Sequence, residues 1–159
     1  MPVPRLGSAP RAVYALTGVA REPGQGIAGI AVIIKDTHKQ TLKQISRRIH
    51  TTSPEAPKYE AVCIALREAL ELGARSVSIY VDDPVVVGHL RQDLQVPPEL
   101  TGPYLEIRAL LHRFRQADIR FLEEGRNRRA RLLAELAVRE RAGHARSYVP
   151  LPLPLTFGA

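Results

Sequence analysis

The place where the apolar periodicity changes limits the folds open to this chain. Strand-like segments come first, and from Pro57 onward helix-like and strand-like segments alternate. Residues 12–18 (Ala-Val-Tyr-Ala-Leu-Thr-Gly) form a candidate first strand. The run from Ile27 to Ile34 is apolar and β-branched, and its length suits a buried strand rather than a helix. Between them, Arg21-Glu22-Pro23-Gly24-Gln25-Gly26 reads as a turn by its Pro and Gly content. Asp36-Thr37-His38-Lys39 leads in the same way into a third strand over 41–50, where alternation is imperfect.

Beyond this point the period lengthens. Tyr59, Val62, Cys63, Leu66, Ala69 and Leu70 recur at helical spacing, with Pro57 suited to the first turn and Gly73 to the stop. Val77-Ser78-Ile79-Tyr80-Val81 reads as a strand, ended by Asp82-Asp83-Pro84. Asp82 is taken there as the N-cap of a short helix over Val85–Arg91 that has proline at its first position. Pro103 opens a further helix in which Ile107, Leu110, Leu111 and Phe114 share a face. Residues 119–122 make a short strand, and Asn127 caps a last helix that carries Ala130, Leu133, Ala134 and Ala137 and ends at Gly143. The order β-β-β-α-β-α-α-β-α predicts an α/β protein with a mixed sheet and helices on its faces.

At 159 residues the chain suits one domain. We place it at 12–143, behind a flexible leader at 1–11 and ahead of an extended tail at 144–159 punctuated by Pro150, Pro152 and Pro154. Cys63 is the single cysteine, so neither an internal disulfide nor a cysteine-based zinc site can form. The histidines show no metal-ligand spacing, and no apolar run approaches the roughly 20 residues that span a bilayer. A leader without a continuous apolar stretch is no signal peptide. The expectation is a soluble cytoplasmic protein with no cofactor, no metal and no membrane contact. A formal charge of +7, with arginines crowding the last third, suits polyanion binding. The same arginines would also suit a merely solvated surface.

The motifs and their order resemble the ribonuclease H family from about Val13 to Arg139. Glu22-Pro23-Gly24-Gln25-Gly26-Ile27-Ala28-Gly29 is similar to that family's Asn-Pro-Gly-x-Gly-Gly-x-Gly hairpin, and Lys58 to Leu70 to the helix after its third strand. Ile79 to Val87 resembles its Val-x-x-Asp-Ser-x-x-Val-Val segment, and Gly125 to Ala134 its closing Arg-Glu-x-Asn-x-x-Ala-Asp-x-Leu-Ala helix. The resemblance implies a ribonuclease H-like fold with a five-stranded mixed sheet, in which an antiparallel meander of the first three strands is followed by parallel strands. It also implies four carboxylates holding two divalent metals, which activate water and stabilise the leaving oxygen.

Mapped residue by residue, those carboxylates are mostly absent. The first falls at Leu16 or, with a one-residue shift, at Thr17; the helical Glu falls on Lys58, and the last Asp on Arg131. Asp82 alone matches. Replacing Glu and Asp by Lys and Arg moves the local charge by four units. Each unit contact at about 4 Å is worth roughly 4 kcal/mol at an effective dielectric of 20. Glu60 lies two helical positions past Lys58 and should point away, and Glu123, Glu124 and Glu135 miss the matching turn. Lys58 and Arg131 are expected either to pair with Asp82 or to bind backbone phosphate. Pro54 and Glu55 occupy the positions where the family reads the 2′-hydroxyl through paired Asn residues.

These expectations describe a degenerate, non-catalytic ribonuclease H-like protein. Its candidate ligand is duplex or hybrid nucleic acid, contacted by Lys58, Arg126, Arg128, Arg129 and Arg131. The alternative is a scaffold in which the tail mediates a homodimer or binds a protein partner. A hydrolase with a rearranged site ranks third.

Overall fold

In the computed structural model, β1 (Ala12–Glu22), β2 (Ile27–Asp36) and β3 (Thr41–His50) form the antiparallel meander. Strands β4 (Ser76–Val81) and β5 (Gln116–Phe121) extend the sheet beyond β1 as parallel strands. The described residues are 12–139 apart from 23, 25 and 52, together with the backbone of 145–148. The expected leader and the rest of the tail lie outside them. The described residues include four α-helices: α1 (Ala56–Glu71), α2 (Pro84–Leu90), α3 (Thr101–Leu111) and α4 (Arg128–Arg139). No helix among the described residues is long and apolar enough to cross a membrane.

Helix α1 lies across β1, β2 and β4, and α4 lies across β1, β2 and β3 on the other face. The α1 side holds the main core, where Ile30, Ile34, Ile45, Tyr59, Leu66 and Ile79 are fully buried. Each such large apolar side chain stabilises the fold by about 1.5–3 kcal/mol. Tyr59 also bonds the buried His89 Nδ1 through its hydroxyl at 2.9 Å. Gly73, at φ +80°, ends α1 in the left-handed region that glycine enters without strain.

The second face is built differently. Helix α4 buries only the small side chains of Ala130, Ala134 and Ala137, and it meets glycines on the sheet. A Cβ on Gly18 would stand 2.5 Å from the Ala130 carbonyl, and one on Gly29 would stand 2.0 Å from the Ala134 carbonyl oxygen. Backbone therefore rests nearly on backbone, which fixes the height and rotation of α4 over β1 and β2.

The expected helix boundaries need adjusting in places. Helix α3 starts at Thr101 behind a single 3-10 turn (Pro98–Leu100), so Pro103 sits inside its first turn rather than opening it. It closes at Leu111 through tight bonds from Arg113 N–H to Leu110 O and from Phe114 N–H to Leu111 O. Phe114 is buried in the turn that follows, outside the helix. Strand β5 begins at Gln116, earlier than its apolar residues suggest, because Arg115 and Gln116 both donate N–H to Arg75 O.

A sixth strand, β6 (Ala145–Tyr148), pairs antiparallel with β3 and gives the order β5-β4-β1-β2-β3-β6. Thr51 N–H donates to Gly26 O on the β2 side. Alternation then turns the amides of Arg48, Ser46 and Gln44 toward the β6 edge. Ser46 pairs with Arg146 and Gln44 with Tyr148.

Candidate functional site

Strands β1 and β4 run parallel with Leu16 opposite Tyr80, so the residues just beyond come together at the carboxyl end of β4. Thr17 is buried there and donates its Oγ1 hydrogen to Tyr80 O at 2.8 Å. Of the two positions offered for the first family carboxylate, Thr17 joins this cluster; Leu16 is only half-buried, and its side chain points to the opposite face of the strand. The close seat of α4 on Gly18 brings the start of that helix down onto the same point.

Asn127, just ahead of α4, is 1 % exposed and donates Nδ2 hydrogens to Thr17 O at 2.7 Å and to Asp82 Oδ2 at 3.1 Å. Its side chain therefore ties β1 to β4 rather than capping α4, and its Oδ1 is a buried acceptor without a hydrogen-bond partner among the described residues. Arg131, one turn into α4, donates Nη1 to Asp82 Oδ2 at 3.2 Å and forms an ion pair with Glu124 Oε2 at 3.0 Å. The Asp82 side chain is only 7 % exposed, so its charge requires these partners.

The helix cap proves to be Asp83, not Asp82. Asp83 Oδ1 accepts from the N–H groups of Val85 and Val86, and its Oδ2 accepts from Lys58 Nζ. The sequence held this signal, because a proline at the first helical position puts the cap on the residue just before it. Lys58 thus pairs with Asp83, while Arg131 alone pairs with Asp82. Burial pushes the Asp83 carboxyl up, but the Lys58 bond and charge and the two backbone N–H groups outweigh it and hold the group below the usual carboxylate range. Such a group stabilises the fold fully above its unfolded pKa of about 3.9, and that stability is lost as pH falls through the lower folded value. We expect Asp83→Ala to cost about 1 kcal/mol for the cap alone, and Asp83→Asn, which can still cap, to cost less. Urea unfolding at pH 7 should show the order wild type, Asn, Ala. The gap between wild type and Asn should close in the most acid buffers the fold survives.

The family chemistry implied by the resemblance needs a nest of carboxylates for two divalent ions. The residues expected at the four positions from the sequence are Thr17 (or Leu16), Lys58, Asp82 and Arg131, and the single carboxylate among them already accepts from a guanidinium and an amide. Among the described residues no group of three or more His, Cys, Asp and Glu side chains is placed to hold a metal ion. Glu60 faces a hollow with Ile49, His50, Thr51 and Ala56, away from Asp82. Glu124 reaches the cluster as a partner of Arg131. These donors do not fit a pair of divalent metals.

The remaining candidate cations are distributed around α4. Arg126 and Arg128 are exposed, whereas Arg129 donates to Gln44 Oε1 on β3 at 3.1 Å and 2.6 Å. Arg128 and Arg131 share an open groove with Glu124, Gly125, Leu132 and Glu135.

Against known proteins, the family model described as reverse transcriptase-like matches residues 17–137. No curated protein matches. Among solved structures, the ribonuclease H1 of the halophilic archaeon Halobacterium salinarum superposes with a TM-score of 0.75 at 22 % identity, over 79 % of this chain and 96 % of that one. The N-terminal ribonuclease H domain of a Mycobacterium tuberculosis protein gives 0.74 at 24 %, over 82 % and 94 %. LC11-RNase H1, solved in complex with an RNA/DNA hybrid, gives 0.73 at 23 %, over 79 % and 96 %.

Proposed function

Since the chain belongs to the reverse transcriptase-like family of ribonuclease H-like domains, we propose that it binds nucleic acid without cleaving it. The observation that carries this reading is the bond from Arg131 to Asp82, the one carboxylate on the four family positions. A guanidinium there brings permanent charge and directed donors, but it neither lowers the pKa of a water nor stabilises a leaving oxygen as a metal does. On this reading the fold is kept and the reacting centre is lost.

What supports a nucleic-acid ligand is the charge of the chain, +7, together with the hybrid bound by a protein of the same fold. Arg126 and Arg128 are the phosphate contacts best placed near the cleft, since neither has a carboxylate partner among the described residues. Lys58, Arg129 and Arg131 are already held by Asp83, Gln44 and Asp82. Pro54 and Glu55 offer no paired amides to a 2′-hydroxyl. Recognition would then follow duplex shape and phosphate rather than the sugar.

The test is a salt titration of binding to single-stranded, duplex and hybrid 24-mers, each in EDTA and in Mg²⁺. We expect affinity to fall on a log–log plot with a slope of about −0.9 per phosphate contacted. Binding should not require Mg²⁺, which should weaken it only as a competing counterion, and the hybrid should remain intact. Flat salt dependence would remove the nucleic-acid reading. Mg²⁺-dependent cleavage that disappears in Asp82→Asn would remove the non-catalytic one.

A further inference from the structure

Lys58 and Arg131 of the cleft are paired with carboxylates where they stand, and a further uncompensated group gathers at the far end of β4. Arg75, Arg113 and Arg115 are all exposed, and none forms an ion pair among the described residues. Their backbones are fixed together: Arg115 N–H donates to Arg75 O at 2.8 Å, and Gln116 N–H to the same oxygen at 3.3 Å. Phe114, buried at 8 % exposure, plants the turn in the core, so the arginines on either side of it are directed outward. His112 is exposed beside them, and within 71–75 and 112–116 the only carboxylate is Glu71.

We propose that Arg75, Arg113 and Arg115 form a second phosphate-binding surface for nucleic acid, at the opposite end of β4 from Asp82. The inference rests on the nucleic-acid reading above and says where the uncompensated charge of the protein would meet its ligand. Protein interfaces need an apolar centre, whereas nucleic-acid interfaces are polar and strongly positive. The large apolar side chains left exposed (Val85, Leu94, Leu105, Phe121, Leu132 and Leu136) all lie outside these segments. The patch is charge without grease, which favours phosphates over an acidic protein. Seven steps of extended chain lead from Arg75 to Asp82, roughly 23 Å at about 3.3 Å per residue. Contact at both ends would thus give a long footprint on one duplex or a bridge between two segments.

The test compares Arg75→Gln/Arg113→Gln/Arg115→Gln with wild type for binding of a fluorescent 24-base-pair duplex across a salt series. The changes are at exposed side chains, so an unaltered melting temperature is the control for folding. The triple variant should lose about tenfold or more in affinity at low salt, and the slope of the salt plot should shrink by about one unit per lost contact. If wild type binds with a steep salt dependence and the variant matches it in affinity and slope, this surface is excluded while the broader reading survives. If wild type binds no nucleic acid at all, the broader reading fails first. Binding of polyglutamate that the variant loses, with duplex binding unchanged, would overturn the proposal in favour of an acidic protein.

Discussion

Installing carboxylates by Thr17→Asp, Lys58→Glu and Arg131→Asp together is expected to make the melting temperature depend on Mg²⁺, while the wild-type protein ignores the ion at matched ionic strength. With Asp82 in place, the variant would gather four negative charges where the native chain has a Thr17 hydroxyl, Asp82 and two cations. Each close repulsion is worth roughly 4 kcal/mol at an effective dielectric of 20, and Glu at position 58 would also face Asp83. In EDTA the variant should therefore melt well below wild type. A divalent ion binding only the folded form returns about 2.7 kcal/mol at a hundred times its dissociation constant. For a domain of this size that corresponds to a rise of roughly 5–10 °C. Scanning fluorimetry over a MgCl₂ series, with NaCl as the ionic-strength control, reads the effect directly. A wild-type protein that gains as much as the variant would show that the native donors hold the metal after all.

The second large effect is expected on the opposite face of the sheet. Gly29→Ala should destabilise the protein by about 3 kcal/mol, at the upper end of the range for overpacking, and Gly18→Ala by somewhat less. The new methyl at position 29 would stand 2.0 Å from the Ala134 carbonyl oxygen, and the neighbour that must yield is helix backbone, not a flexible side chain. Because α4 also carries Arg131 and follows Asn127, lifting it would loosen the bonds to Asp82 and Thr17 together. Chemical denaturation should show a lower midpoint with the slope unchanged. By contrast, Gly102→Ala, on α3 with nothing within 4 Å of its added Cβ, should leave stability near wild type. Equal, small losses at positions 29 and 102 would contradict the close seat of α4.

The elements that carry this argument differed in how plainly the sequence announced them. Strand β2 and helix α1 were legible because one is an unbroken apolar, β-branched run and the other keeps a helical period that Gly73 ends. The imperfect alternation of β3 marked it less plainly. Strand β5 was read short because Gln116, Asp118 and Arg120 line a face that no helix covers, so the two-residue apolar signal is absent there. Phe114 was placed in a helix because its spacing from Ile107 and Leu111 fits one, yet tight turn bonds end α3 earlier and bury the ring from the loop. At the site, the order of motifs was enough to single out Lys58, Asp82 and Arg131 as candidates. Which acid each cation would choose depended on a register that neighbouring residues 82 and 83 share almost equally. Glu124 could not be assigned to Arg131 without the 3-10 turn at Glu124–Arg126, which folds it back.

Strand β6 has a consequence for how long the chain must be to stay well behaved. The outward amides of Gln44 and Ser46 are satisfied by a partner lying beyond the last helix. A shortened protein ending at Arg139 would keep every residue of the cleft while presenting β3 as a bare, sticky margin. Other molecules could zip onto that margin, so the trailing segment serves solubility as much as shape.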